Sequence, residues 1–346
     1  MKTYTQAWDS DRVVERATSS RRDKGSDLRR GPSLPLFNDL AKEYQHDFFV
    51  EDIKNTVFYR QGRNRQRIEY QIERENSEVI RRVVEAIAER DWSNQRFGSM
   101  PLSRVVRAWI GESWSDIARH GRAIHEVAPL RNLDKTRDGD GPHGVAIIRI
   151  DPKSVGPRWG WLGGELVQWT SSIDQREHGL DRLIRLRKER FIVFRLPGTL
   201  EEQVQEAGNA LRGKDVGSVG LSVAPWSRPD LYELGYQLDD HSAVRDAVIA
   251  RGTRKMGWYG RGQFDKRITS HYLIRRQIRE GRFATALENA LLDHLNSILA
   301  NQANRIGAKV TIRAKNAFTL QNYDEAERLL DEGSRSFREI MDRVGR

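Results

Sequence analysis

The sequence predicts an α+β protein that is mostly helical, and three patterns support this prediction. Apolar residues recur at helical spacing over long stretches, most clearly in 65–91, 101–117 and 270–304. Four short β-rich runs, separated by turns, fill the middle of the chain at 116–197. A short strand pattern and two helix-start signatures close the chain. We therefore expect a central β-rich segment flanked by long helices.

The composition is that of a protein with a substantial core and a strongly charged surface. Hydrophobic residues make up 38% and charged residues 31% of the 346 residues, and the mean hydropathy is −0.71. No apolar run approaches the roughly 20 residues that a membrane-spanning helix needs, and the N-terminal stretch has no secretory signal pattern. The chain has no cysteine, which excludes disulfides, thiolate metal ligands and cysteine nucleophiles and fits a cytosolic protein.

The positive charge of the chain is concentrated in one stretch. The formal net charge is +10 and the isoelectric point is about 9.8, and residues 251–283 hold ten lysines and arginines against two acidic residues. A concentrated positive field predicts a polyanion nearby, most often nucleic acid. A solvated helix face is the simpler alternative.

Within that stretch, GTRKMGWYGRGQFDKR at 252–267 mixes glycines with basic and aromatic residues. Glycines let a loop approach another surface closely, and arginine and lysine neutralise phosphates, so binding would be nonspecific and salt-sensitive. Trp258 and Tyr259 either stack or anchor the loop to its own core, and an exposed hinge between two helices is the structural alternative. The candidate DNA contacts are Arg251, Arg254, Lys255, Trp258, Tyr259, Arg261, Lys266, Arg267, Arg275 and Arg276.

The N-terminal third is predicted as an arm followed by helices. Residues 1–45 are basic, polar and poor in apolar anchors, which predicts a flexible arm. Residues 48–60 are apolar enough to pack as a short helix or strand. One long helix is predicted over 65–91, and a second begins at Pro101 and ends at Gly121. The apolar stripe of the first helix consists of Ile68, Ile72, Val79, Ile80, Val83, Val84 and Ile87.

The middle of the chain is predicted to form strands. RAIHEVA alternates apolar and polar residues, and VAIIRI returns after a turn-forming loop, so the two predict a hairpin with a long loop. PRWGWLGG predicts another turn, and ELVQW and RFIVFRL predict two further strands.

The C-terminal half is predicted to be mainly helical. Helices are expected after Thr199, over 227–252 and over 270–304, and KVTIRAK predicts a strand. Two capping signatures then start the last helices: Asn322 with Glu325, and Ser336 with Glu339.

Motifs that carry chemistry are incomplete in this sequence. GNALRGKD (208–215) has the spacing of a phosphate loop, but Asp215 stands where serine or threonine should hold magnesium, and the preceding segment predicts a helix. HGRAIHE brings His125 and Glu126 together, but on a strand they point to opposite faces. We therefore expect no catalytic site, no metal site and no cofactor. An active site assembled from distant residues is the alternative.

The order of five segments resembles the portal proteins of tailed phages and prophages over about residues 100–345. SWSDIARHGRAIHEVA is similar to their helix entering a G-x-(A)-x-x-E strand, and IIRIDPKSV to their L-x-P-x-x-V strand and turn. GELVQW with ERFIVFRLPG is similar to the strand pair before their I-x-F-R segment. FATALENALLDHLN resembles a late helix, and the stretch from TIRAK to the end resembles their final strand, helix and short helix.

The resemblance implies a structural protein with no catalytic activity of its own. Portal proteins form a ring, commonly of twelve subunits, at one capsid vertex. Double-stranded DNA passes through the ring during packaging and ejection, and a terminase, head-completion proteins and capsid proteins dock on it. The expected location is the virion, with assembly in the host cytoplasm, and no membrane partner.

On this resemblance the chain divides into four segments. They are a flexible basic arm (1–45), a wing-like helical and β-rich domain (46–199), a stem- or clip-like helical region with the basic loop (200–305) and a strand–helix–helix region (306–346). The basic stretch would face the channel or DNA. The chain is short for the family, and the arm matches none of its motifs. A nucleic-acid-processing enzyme with a dispersed site and a basic nucleic-acid-binding module are the alternatives.

Overall fold

The computed structural model of this protein describes eleven segments of the chain. In them 64% of the residues are helical and the sheets are small, so the α+β, mostly helical prediction is confirmed. The described residues are 37–58, 68–73, 76–88, 101–129, 144–160, 163–169, 181–186, 190–211, 249–258, 269–315 and 318–340. Only the backbone is described at 37–45, 58, 129, 157–160 and 163–165.

The helices and strands are numbered in chain order. They are α1 (Phe37–Phe58), β1 (Glu69–Ile72), α2 (Ser77–Ile87), α3 (Leu102–His120), β2 (Ala123–Pro129), β3 (Val145–Ile150), β4 (Val155–Gly160), β5 (Gly163–Trp169), β6 (Leu183–Arg185), β7 (Phe191–Phe194), α4 (Gly198–Leu211), α5 (Ser270–Asn301), α6 (Ala303–Ile306), β8 (Ile312–Lys315) and α7 (Leu320–Glu332).

The chain forms two compact units, and each is discontinuous in sequence. Unit 1 contains the described parts of Glu69–Arg195 and Leu291–Lys315. Unit 2 contains those of Pro32–Ile68, Leu196–Ala290 and Asn316–Arg346. The four-segment division expected from the sequence stays a prediction.

Unit 2 begins with α1, a helix of 22 residues that the sequence only partly predicted. Phe49, Ile53 and Val57 recur every four residues and are buried, which is the stripe of a packed helix. The helical alternative for residues 48–58 is therefore correct. Residues 37–45, which the sequence assigned to the flexible arm, form the first turns of this helix. Residues 1–36 lie outside the described segments.

In the C-terminal part of unit 2, α7 packs on the first half of α5. Ile274 and Ile278 of α5 form a buried cluster with Tyr323, Ala326 and other apolar residues. Gly281 allows this approach, because a Cβ there would lie 2.5 Å from the Tyr323 ring. This contact lies on the first half of α5, whereas the apolar stripe predicted from the sequence lies on the second half at Leu287, Leu291, Leu295 and Ile298.

The two capping predictions for the last helices had different outcomes. The predicted cap Asn322 is wrong, since Thr319 caps α7 and Asn322 is its reciprocal partner inside the first turn. Thr319 has an extended backbone, and Leu320 already begins the helix, so the cap lies three residues earlier. The second signature is confirmed, because Ser336 N–H donates to Glu339 Oε2 at 3.0 Å and Glu339 N–H donates to Ser336 Oγ at 3.3 Å.

In unit 1 the predicted helix over 65–91 is wrong in its first part. Residues 69–72 form β1, which pairs antiparallel with β8, and Tyr70 and Ile72 are buried in alternation with exposed neighbours. Asn76 then caps α2 by accepting the Glu78 N–H at 2.9 Å. The period of two at Ile68, Tyr70 and Ile72 was the strand signal, and the helical stripe obscured it.

The remaining strands of unit 1 form two antiparallel sheets of three strands. One has the order β3-β2-β7 and confirms the hairpin predicted from RAIHEVA and VAIIRI. The other has the order β4-β5-β6. The predicted PRWGWLGG turn spans 157–164, but residues 157–160 belong to β4 and 163–164 to β5. The strand β6 was not predicted.

The helix α3 lies beside these strands and has the predicted ends. Pro101 stands at its N-cap, and Gly121 ends it with a left-handed φ of 72°. Its buried Asp116 receives two hydrogen bonds of 2.6 Å from Arg149 of β3, whose Nη1 also donates to Glu112 at 3.1 Å. Burial raises the pKa of Asp116, and the Arg149 hydrogen bonds act in the opposite direction.

The interior of unit 1 also contains a cluster of aromatic rings with two histidines. His125 is fully buried on β2, stacks on Trp109 at 4.9 Å between centroids, and lies 3.2 Å from Ser113 Oγ through Nε2. His294 of α5 lies 5.6 Å from His125 and stacks on Phe194 at 4.2 Å. Burial, with His294 and Arg149 as further causes, lowers the pKa of His125 to about 3, and burial lowers that of His294 to about 4.

These histidines predict a loss of stability in acid. The unfolded imidazoles protonate near pH 6.5 while the folded ones stay neutral until about pH 3 and 4. Stability is therefore fully present above pH 6.5 and falls as the pH is lowered, by up to about 1.4 kcal/mol per pH unit for each histidine. Chemical denaturation at several pH values between 7 and 4 gives the free energy of unfolding as a function of pH. The slope of this free energy against pH should be shallower for His125→Phe than for the wild type. Ser113→Ala keeps the imidazole and should keep the slope, and equal slopes for all three proteins would contradict the assignment.

Candidate nucleic-acid interface

The basic segment begins with a helical stretch and a tight turn in unit 2. Residues 249–253 are helical, Arg254–Met256 form one 3₁₀ turn, and Gly257 ends it with φ 74°. Two glycines bring this segment against its neighbours. A Cβ on Gly252 would lie 2.4 Å from the Ala210 Cβ of α4, and a Cβ on Gly257 would lie 2.3 Å from the Arg276 carbonyl oxygen of α5. The turn is therefore docked on both helices through backbone contacts.

Trp258 fixes the C-terminal side of this turn. Its side chain is 1% exposed, packs edge-on against Phe49 at 5.3 Å between centroids, and donates from Nε1 to Asp52 Oδ2 at 3.0 Å. Thr253 Oγ1 donates towards the carbonyl oxygens of Ile249 and Trp258. The indole anchors the segment to its own core, which is the second of the two roles that the sequence allowed, and it presents no face for stacking.

The other candidate contacts fall into three groups. Arg251, Arg254 and Lys255 are exposed. Arg275 and Arg276 are partly buried, and both are held by other groups of unit 2: Arg275 Nη2 donates to Asp331 at 2.6 Å, and Arg276 Nε donates to the Gly257 carbonyl at 3.0 Å. Tyr259, Arg261, Lys266 and Arg267 lie outside the described residues.

Two basic residues of α5 belong to the site although the sequence did not single them out. Arg279 and Arg282 follow Arg275 at helical spacing, so all three share one face of the helix. The acidic face of α7 lies opposite that face. Arg279 Nε is 3.8 Å and Arg282 Nη1 is 3.4 Å from Glu327, and Arg282 Nη2 is 3.1 Å from Asp324. The spacing of three and four residues was the signal that could have identified them.

These side chains meet at a cavity of about 830 Å³. Arg254 and Lys255 of the turn line it together with Arg279 and Arg282 of α5, and Gly198 and Thr199 contribute the first turn of α4. Glu327 is the acidic residue in the lining, so the lining carries four positive charges and one negative charge. The N-terminal end of a helix adds a further positive potential.

The available positive charge is greatest at the turn. The Arg254 side chain has no ion pair or hydrogen bond within the described segments. Lys255 Nζ lies 2.9 Å from Glu206, with the two side chains 65% and 41% exposed. An ion pair as exposed as this contributes little and is easily exchanged for another anion. The turn is therefore the part of the site that can meet a polyanion first.

The site offers electrostatic attraction to an anion through its four basic side chains. The described residues include no group of three or more histidines and carboxylates placed to hold a metal ion, and none of their helices is long and apolar enough to cross a membrane. Near the turn, burial raises the pKa of Glu280, and a 2.8 Å hydrogen bond from Thr56 acts against that shift. Glu280 therefore serves the packing of α1 on α5.

Comparison with known proteins adds no family to this geometry. No protein-family model matches the sequence, and no curated protein matches it.

The close approach at Gly257 predicts that the turn can form only with a residue that has no Cβ at this position. Gly257→Ala would place a Cβ 2.3 Å from the Arg276 carbonyl oxygen and force a left-handed alanine, so it should destabilise unit 2 by about 2 kcal/mol or more. Gly208→Ala is the control, because nothing lies within 4 Å of that Cβ in α4 and alanine favours a helix. Denaturant titration of both variants measures the difference. Equal stability of the two variants would show that the contact is not made.

Proposed function

We propose that this chain is the subunit of a portal-like ring that conducts double-stranded DNA. The observation that carries the proposal is the exposed basic turn, in which Arg254 and Lys255 stand on a docked backbone, with Arg251 on the helical stretch before it. Positive side chains on a fixed support favour a phosphate backbone, because they lose little conformational freedom when they bind it. Such contacts read no sequence, as a DNA channel requires.

The order of elements supports the portal class in particular. From α3 to α7 the chain runs through a helix, antiparallel strands, a helix, the long α5, the short strand β8 and a last helix. This is the order on which the resemblance to phage portal proteins rests. In this proposal twelve subunits form the ring at a capsid vertex of the virion, and terminase, head-completion and capsid proteins dock on it after assembly in the host cytoplasm.

In this proposal the subunit itself catalyses no reaction. A portal guides DNA, while a separate ATPase supplies the work, so the subunit needs a stable shape and a favourable surface charge. The acidic residues on α7 limit that charge by pairing with Arg275, Arg279 and Arg282. A surface that held DNA too tightly would slow its passage.

The proposed ring predicts an assembly of defined mass. With a subunit of 40.0 kDa, a ring of twelve has a mass of about half a megadalton. Native mass spectrometry or sedimentation velocity at moderate salt should detect it. A protein that stays monomeric at high concentration would contradict the ring.

The proposal also predicts that the basic turn contributes to DNA binding. Arg254→Glu should weaken binding of duplex DNA by about tenfold at low salt and reduce the salt dependence, because a phosphate contact is replaced by repulsion. Arg104→Glu is the control, because Arg104 is an exposed arginine on α3 in unit 1 and its replacement changes the net charge by the same amount. Fluorescence anisotropy at several salt concentrations measures both. If the two variants weaken binding equally, the turn has no special role.

A further inference from the structure

The cavity beside the basic turn has two chemically different walls. One wall is cationic and consists of Arg254, Lys255, Arg279 and Arg282. The other is apolar and includes Phe283 and Leu320. A surface that only attracts a phosphate backbone needs the first wall and gains nothing from the second.

The apolar wall is partly open to solvent, which is uncommon for large apolar side chains in the described segments. Leu320 is 38% exposed at the start of α7. Phe283 is buried beneath the cavity, and Ala286 lines it one turn further along α5. An apolar ligand group that covered Leu320 would remove that side chain from water, with a gain of roughly 25 cal/mol per Å² covered.

The backbone that carries the turn's part of the cationic wall is held in place. Arg254 and Lys255 are positioned by the docking of Gly257 and Trp258, and Arg279 is held at 3.8 Å from Glu327. Because the backbone of the turn is fixed on α5, a bound anion does not have to order a loop. Thr199 and Gln203 add polar side chains to the lining, and these can donate and accept hydrogen bonds.

We propose that this cavity binds a nucleotide, with the phosphate groups on the cationic wall and the base against the apolar wall. The volume of about 830 Å³ lies within the range of about 300–1,000 Å³ that small-molecule sites occupy. A net positive lining with an adjacent apolar face matches a ligand that is anionic at one end and flat and apolar at the other. The ligand is either a free nucleotide or one nucleotide of a nucleic-acid strand, because both carry this chemistry.

This proposal goes beyond the DNA-conducting ring, since a subunit that binds a nucleotide in a cavity need not form a ring. The cavity lies entirely within unit 2, so the site is complete in one chain. Its failure and the failure of the proposed function are therefore separable.

Calorimetric titration of the full chain at moderate salt tests the pocket. The three probes are ATP, tripolyphosphate and adenosine. ATP carries both the base and the phosphates, tripolyphosphate carries the phosphates alone, and adenosine carries the base and ribose without phosphates. We expect ATP to bind at least about tenfold more tightly than tripolyphosphate, and adenosine to bind more weakly than either. Equal affinity for ATP and tripolyphosphate would overturn the role of the apolar wall.

Two matched variants locate the binding. Arg254→Gln removes an exposed lining charge and should weaken ATP binding about tenfold, as expected for a lost charged hydrogen bond. Arg335→Gln removes an exposed charge of unit 2 that is not part of the lining and should leave ATP affinity unchanged within about twofold. Equal weakening by both variants would mean diffuse attraction and would overturn the pocket. Lys255→Gln repeats the test at a second lining position, with folding of each variant checked by circular dichroism.

Competition then identifies the source of the nucleotide. A short single-stranded oligonucleotide that displaces ATP indicates a nucleotide within a strand, whereas ATP that stays bound indicates a free nucleotide, and both results support the pocket. The mass of the assembly and its binding of duplex DNA are measured on the same samples. If the full chain binds duplex DNA but not ATP, the pocket alone is overturned. If it binds ATP but is a monomer that does not bind duplex DNA, the ring alone is overturned.

Discussion

The contact between Gly257 and the backbone of α5 is the constraint on which the functional surface of unit 2 depends. A hydrogen atom is the largest substituent that fits beside the Arg276 carbonyl oxygen, so the turn can lie directly on the helix. The hydrogen bond from Arg276 to the Gly257 carbonyl and the bond from Trp258 to Asp52 then hold it there. Without that approach, the cations of the turn and those of α5 would not border one cavity.

Charge in unit 2 is divided between structural and available cations. Arg275 and Arg282 form ion pairs with Asp331 and Asp324 on α7, and these pairs accompany an apolar contact that already holds the two helices together. Half-exposed pairs of this kind add little stability, so they mainly set the local potential. The turn at Arg254 is different, because its charge has no described counter-ion. Net charge of the sequence alone therefore overstates the positive surface of this region.

Sequence patterns predicted the elements whose signals are local. The ends of α3, the hairpin of β2 and β3 and the Ser336 cap follow from periodicity, glycine and capping chemistry within a few residues. Strand β1 was missed because its partner β8 lies far along the chain, and pairing overrode a helical stripe that was also present. The sequence identified the basic stretch, but it did not show which of its residues are bound within the fold and which are exposed. The carboxylate that binds Arg275 comes from α7, and the core that buries Trp258 comes from α1. The cavity depends on four segments meeting, which no single pattern encodes.

The pairing of β1 with β8 has a consequence for synthesis of the chain. Tyr70 and Ile72 pair with Ala314 and Ile312, which lie near the other end of the sequence. At about 5–20 residues per second, a ribosome needs tens of seconds to supply the second strand after the first. During that time β1 is an open strand edge with apolar side chains, which invites pairing with other nascent chains. Unit 1 is thus completed late, after β8 has been synthesised.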